Sequence, residues 1–170
     1  MPFTPYHFGP AGFFALLFKK WIDLPVFLLA NVAVDIEVGI RIMLKHYPWI
    51  HRYSHTIIGG ILVGVILGLV SYPLRGFYKW IMGIFRLPYN TNFRKLLTWS
   101  ILGVLFHILI DSFDHLDIRP FWPFTNRNPF MGYISDYNIK VICLALWVLL
   151  LILLAVNFIR NRPQTAGLQN

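Results

Sequence analysis

Thr56–Leu74, TIIGGILVGVILGLVSYPL, runs for 19 residues without a charged side chain. About 20 predominantly apolar residues in helical form cross the hydrocarbon core of a bilayer. In lipid each backbone polar group must be satisfied within its own segment, which makes an α-helix the expected form of a single run of this length. Gly59, Gly60, Gly64 and Gly68 give that helix small residues for close packing on a neighbour. The rest of the chain agrees: it is 57% apolar and only 13% charged, where soluble domains carry about 25% charged residues. A net charge of +8 would suggest nucleic acid in a soluble protein. Here the basic residues fall between apolar runs, so topology and lipid phosphates account for them and no nucleic-acid partner is required. The expected fold is all-α, an integral membrane helical bundle of about four transmembrane helices with a short N-terminal half-helix and an interfacial helix. One domain is expected over 1–160, with 161–170 as a disordered polar tail.

The opening MPFTPYHFGP holds three prolines and a glycine and reads as a loop or turn. It lacks the basic start of a cleavable signal peptide. Ala11–Phe18, closed by Lys19 and Lys20, reads as the half-length helix, with His7 at its buried or opposite end. Leu24–Leu44 is long enough to span but carries Asp35, Glu37 and Arg41. Each charge at mid-bilayer costs about 2.5–3.5 kcal/mol on insertion scales, so Asp35 becomes a candidate functional residue. An ion pair from Asp35 or Glu37 to Arg41 is the plainer alternative. The connection KHYPWIHRYSH over 45–55 holds His46, His51 and His55, and His55 lies at the start of the glycine-rich run. Arg75–Lys95 contains five basic residues and no acid, which marks the cytoplasmic side, and its aromatic middle, Phe77–Leu87, reads as an interfacial helix. Leu96–Asp111 crosses back, 112–138 is a loop, and Val141–Ile159 is the last span, followed by Arg160 and Arg162. Trp49, Trp122 and Tyr133 read as an interfacial aromatic belt. The single cysteine, Cys143, excludes a disulfide within the chain and a cysteine-rich zinc site.

LFHILIDSFDH, residues 105–115, ends one of these runs with His107 and Asp111 four apart. On a helix such residues lie one above the other, and an imidazole and a carboxylate stacked in this way can hold one metal ion. A helix-capping Asp beside a buried, hydrogen-bonded His is the alternative. The assigned spans bring Asp35, His55 and the His107/Asp111 pair toward one membrane face, the non-cytoplasmic one. With His7, the metal ligands expected are His7, Asp35, His55, His107 and Asp111. Mixed His and carboxylate ligands suit zinc, as one or two ions, with manganese or iron as alternatives. Such a centre is suited to hydrolysis through an activated water, with Asp35 or Asp111 orienting the water or accepting its proton. His51, Arg52, His115 and Arg119 are candidates for substrate contact or for support of the ligands, although Arg52 also fits a snorkelling interfacial arginine and His115 a helix cap. The competing function is non-enzymatic: a small transporter or scaffold whose buried His and Asp carry protons or organise the bundle. Oligomeric state is open at this level.

The order of MPFTPYHFGP, VDIEV, HRYSHT, LFHILIDSFDH and RPFWPF resembles the LexA-binding, inner-membrane-associated hydrolase family, often labelled membrane-bound metal-dependent hydrolases. The likeness covers roughly residues 1–125. HRYSHT matches that family's His-Arg-x-x-Thr-His-Ser run through His51, Arg52 and His55, and the later elements match through His107, Asp111, Trp122 and Pro123. VDIEV departs from the usual Pro-Asp-x-Asp, with Val34 for proline and Glu37 for the second aspartate. The ligand order is also distantly similar to that of zinc-dependent bacterial phospholipases C and fungal single-strand nucleases. This likeness implies one zinc on Asp35, His55, His107 and Asp111, and a contribution of His7 to a second, with Asp111 as bridge. The third zinc of those enzymes uses a His-x-x-x-Glu that this chain lacks. The activity implied is phosphoester hydrolysis, and the membrane setting suggests a lipid-like substrate among membrane lipids.

Overall fold

The computed structural model describes residues 4–46 and 50–161. Trp49, and the expected tail beyond Asn161, lie outside the described residues. The described chain is all-helical: α1 (Thr4–Leu17), α2 (Leu24–Met43), α3 (Ile57–Ser71), α4 (Arg75–Ile84), α5 (Phe93–Ser112) and α6 (Asp136–Arg160). Polar residues start four of them. Asp23, Thr56, Asn92 and Ser135 each accept from a backbone N–H in the first turn of α2, α3, α5 and α6, satisfying groups the helix itself leaves open. At the ends of α2 and α4, Lys45 and Arg86 take φ of 54° and 56°. His46 N–H then donates to Arg41 C=O at 2.9 Å and Leu87 N–H to Met82 C=O at 2.9 Å, a closing geometry that turns the chain out of the helix.

The N-terminal helix starts earlier than the sequence suggests. Residues 4–10 are helical, not a loop, and His7 lies in the first turns of α1. Pro5 falls in the first turn, where its missing N–H would have had no partner; the anchoring is tertiary, since Trp147 Nε1 on α6 donates to Pro5 C=O at 2.7 Å.

α5 forms the centre of the bundle, packed by α3, α2 and α1, and α6 lies against α1. The contacts set the directions. Gly60 faces Ile108, Gly64 faces Ile101 and Gly68 faces Leu97, so α3 runs antiparallel to α5. Gly103 abuts Phe27 and Ala30, and α2 runs parallel to α5. As a result the start of α1, the second half of α2, the start of α3 and the end of α5 meet at one end of the bundle. Lys19, Lys20, Arg75, Lys79, Arg86, Arg94, Lys95 and Arg160 gather at the other.

By length and composition α5 and α6 can each cross a membrane. α3 and α4 qualify only as a pair, and that pair is bent by 83°. α3 stops at Ser71 and not at Leu74, and α4 is the expected interfacial helix, burying Tyr78 and Met82 and exposing Phe77, Trp80 and Ile84. α2 has the length, 20 residues, but carries three charges. Ile58, Leu62, Ile66 and Leu69 on α3, and Leu144, Val148, Leu151 and Ile152 on α6, are exposed, as lipid-facing side chains should be.

The small-residue face is Gly60, Gly64 and Gly68. A Cβ on Gly64 would lie 2.6 Å from Ile101 Cα, a backbone atom that cannot swing aside. Gly59 faces elsewhere, onto the carbonyl of Tyr53. Gly64→Ala is expected to cost about 1–3 kcal/mol through overpacking, whereas Gly76→Ala, with nothing within 4 Å, should be neutral or stabilising; thermal unfolding of both variants in detergent checks the contrast.

Candidate metal centre

Asp111 is the hub of the converging end. It is 2% exposed, and its two oxygens face four imidazoles. Oδ2 lies 3.0 Å from His107 Nε2 and 3.6 Å from His55 Nε2. Oδ1 lies 2.8 Å from His7 Nε2 and 3.7 Å from His115 Nε2. Asp35 Oδ1 approaches from α2, 3.3 Å from both His55 Nε2 and His107 Nε2. The i, i+4 relation places His107 under Asp111 on α5, as the sequence predicts. His7 reaches in from α1 and stacks its ring on His107, with centroids 4.1 Å apart.

Four of these residues, Asp35, His55, His107 and Asp111, present one ligand atom each within 4.8 Å of one another. The donor set can be tested against an ion. Zinc bonds of about 2.0–2.1 Å in a tetrahedron require ligand atoms about 3.3 Å apart. The four N···O separations here are 3.0, 3.3, 3.3 and 3.6 Å. His55 Nε2 and His107 Nε2 make no hydrogen bond among the described residues despite those short distances. On its far side, His55 Nδ1 lies 3.0 Å from Ser54 Oγ, the kind of outer partner that fixes the tautomer of a ligating imidazole. The residues fit a metal ion.

A second group lies alongside. His51, His115 and Asp117 also offer ligand atoms within 4.8 Å of one another. His51 stacks on His115 at 4.4 Å and meets the edge of His55 at 4.7 Å. Asp117 Oδ2 accepts from the backbone N–H groups of Ile50 and His51 at 3.1 and 3.0 Å, and its Oδ1 lies 2.9 Å from His51 Nδ1. Burial pushes the Asp117 carboxyl up, but the bonds from His51 outweigh it and hold the group down at about 2. Burial lowers His115 to about 4. Asp114 turns aside, and burial with a hydrogen bond to Asp136 raises it to about 6. Beside this group opens a pocket of about 130 Å³ lined by His51, Arg52, Tyr53, Thr56, Asp117, Arg119 and Trp122. Arg52 is exposed and its guanidinium lies 5.3 Å from the Tyr53 ring centre; Arg119 Nη1 donates to Asn126 at 3.2 Å. Trp122, expected in an aromatic belt, instead walls this pocket, edge-on to Tyr53.

All five expected ligand residues thus come together, with His51 and His115 next to them and both arginines at the adjoining pocket. The Glu37–Arg41 ion pair that the sequence offers is present, and Asp117 and Glu37 also make contacts that the sequence does not disclose. Asp117 pairs with a histidine 66 residues away, a distance at which no local spacing signals contact. Glu37 pairs with Arg41 at 2.9 Å and also accepts from the N–H groups of Ser54 and Tyr53 at 2.6 and 3.3 Å. It anchors the loop that carries His55; two positions from Asp35, it occupies another face of α2.

The family model of the YdjM inner membrane protein matches residues 7–168. The chain belongs to that family. The match runs through α6, well past residue 125, and with the apolar helices it makes the chain an integral inner-membrane protein. No curated protein and no solved structure matches it.

Glu37→Gln removes one of two acceptor oxygens serving Arg41 and the loop. It is expected to cost about 1–3 kcal/mol, read as a lower melting temperature in detergent, while Arg41→Gln, which keeps the loop bonds, should cost less.

Proposed function

We propose that this chain is a membrane-bound, metal-dependent phosphoester hydrolase with its centre at Asp35, His55, His107 and Asp111. The observation that carries the reading is the set of four ligand atoms within 4.8 Å of one another, with N···O separations of 3.0–3.6 Å, gathered at one end of the bundle beside a pocket that contains two arginines. Zinc bound there would supply a water nucleophile at neutral pH and neutralise charge developing on a phosphoryl oxygen. Asp111, with both oxygens among imidazoles, acts as the fixed anion of the site. Asp35 is the most accessible of the four, its side chain 18% exposed, and would be the carboxylate to orient a water at the site or accept its proton. His7 holds Asp111 Oδ1, where the phospholipase likeness implies a second ion. Arg52 and Arg119 are suited to the phosphate, since guanidinium groups match its oxygens.

Two further observations bear on the setting. The basic end of the bundle, at Lys19, Lys20 and α4, is the end that the positive-inside rule assigns to the cytoplasm, so the centre faces the other side. An apolar groove of about 480 Å³ between α1, α2, α4 and α6, lined by residues such as Phe8, Leu28, Val32 and Leu150, has the character of a site for lipid chains and supports a lipid-like substrate. The competing reading, a scaffold in which the cluster only ties helices together, draws on the complete burial of His55 and His107.

The first measurement is metal content of the purified protein in detergent beside His107→Ala and Asp111→Asn, followed by hydrolysis of phosphomonoester and phospholipid substrates. Bound zinc lost in both variants, together with phosphate-ester cleavage by the wild type, is the expected result. No bound metal, and no rise in melting temperature on adding zinc or manganese, overturns the metal reading; bound metal without hydrolysis leaves the scaffold. Ser54→Ala should lower metal affinity about 10–100-fold without unfolding the protein, measured by competition with a chelator.

A further inference from the structure

We infer that His51, His115 and Asp117 form a second divalent-cation site, next to the first and opening onto the arginine-lined pocket. The inference rests on the reading that the first group binds metal, and it assigns a different role to residues that otherwise pass for substrate contacts or outer support. Two imidazoles and a carboxylate are a donor set for zinc, manganese or iron. Their ligand atoms lie within 4.8 Å of one another, and the side chains of His51 and His115 are 5% and 9% exposed. They come from the fold's two longest connections: His51 from the one before α3, and His115 and Asp117 from the one after α5. The loop after α5 is pinned over the site by Asn128 Nδ2, which donates to Ser112 C=O at 2.8 Å, and by Ile57 N–H, which donates to Pro120 C=O at 2.8 Å.

The two groups touch through His115, whose Nε2 lies 3.7 Å from Asp111 Oδ1. Asp111 therefore stands between the sites, as the shared carboxylate of a two-metal centre does. Charge points to the same occupant class. The first group carries two carboxylates, which balance one divalent ion; the second carries one, and leaves a net positive charge facing Arg52 and Arg119. A pocket with a surplus of positive charge on both walls suits a phosphate monoester or free phosphate.

The plainer alternative is that Asp117 only orients His51 by hydrogen bonding. Counting ions separates the two. Full-length protein in detergent, stripped with chelator and reloaded with manganese, is analysed by elemental mass spectrometry and by electron paramagnetic resonance of bound manganese. Two equivalents in the wild type, falling to one in Asp117→Asn and in His115→Ala and staying at two in His7→Ala, is the expected result. One equivalent in the wild type, lost in Asp35→Asn, overturns the second site and leaves the first standing. Loss of the second equivalent in His7→Ala but not in Asp117→Asn overturns this assignment in favour of the His7–Asp111 pair. No bound manganese in the wild type removes the first site and this one together. The wild-type count needs no variant to fold.

Discussion

A carboxylate buried at the end of a membrane bundle must be compensated, and Asp111 sets the terms for everything around it. An isolated buried charge costs several kcal/mol even after relaxation, and loss of solvent on all sides makes each neighbouring partner count for more. The compensation is supplied by imidazoles from α1, α5, the connection before α3 and the loop after α5, with Asp35 brought from α2. Two acids among this many histidines form an arrangement that could hold a divalent ion, and hydrogen bonds alone leave it open, since His55 Nε2 and His107 Nε2 have no such bond among the described residues. Helix packing and the candidate site are therefore one problem: the segments can approach only if their buried polar groups are matched to one another.

The scaffold makes that approach possible with small residues. Gly60, Gly64 and Gly68 let α3 lie against the backbone of α5, and this contact lowers the start of α3, with His55, onto His107 and Asp111. Gly103 does the same between α5 and α2, drawing Asp35 in. In lipid, where apolar burial drives little helix association, such close van der Waals contact is the main adhesive. Glu37 adds a polar tether from α2 to the loop that carries Ser54 and His55, and Asp23 ties the opposite end of α2 to the loop before α5 through Tyr89 and Thr91.

The acids distinguish the two ends of the bundle. The converging end holds the histidines and every acid but Asp23, together with Arg41, Lys45, Arg52, Arg119, Arg127 and Lys140, and the far end gathers lysines and arginines around α4. That helix turns away from α3 by 83° and places its aromatics where a membrane surface would lie. Membership of an inner-membrane family is consistent with that division of polar work.

Local pattern determined a good deal on its own. The uncharged run from Thr56, the aromatic basic stretch that became α4, and the four-residue spacing of His107 and Asp111 are legible because hydropathy and helical periodicity act within one segment. The separation of Asp35 from Glu37 onto different faces follows from the same periodicity. The sequence also misled locally: Pro5 and Gly9 signal a loop, yet α1 begins at Thr4, because its first turn is held by α6 and not by propensity. What tertiary structure alone decided is which segments share an end and which side chains meet there. Asp117 with His51 and Glu37 with the N–H of Ser54 are contacts across 66 and 17 residues, selected by the direction and close approach of packed helices. No spacing along the chain encodes them, since the distance between two helices depends on the glycines that line the contact and not on the residues that the contact brings together.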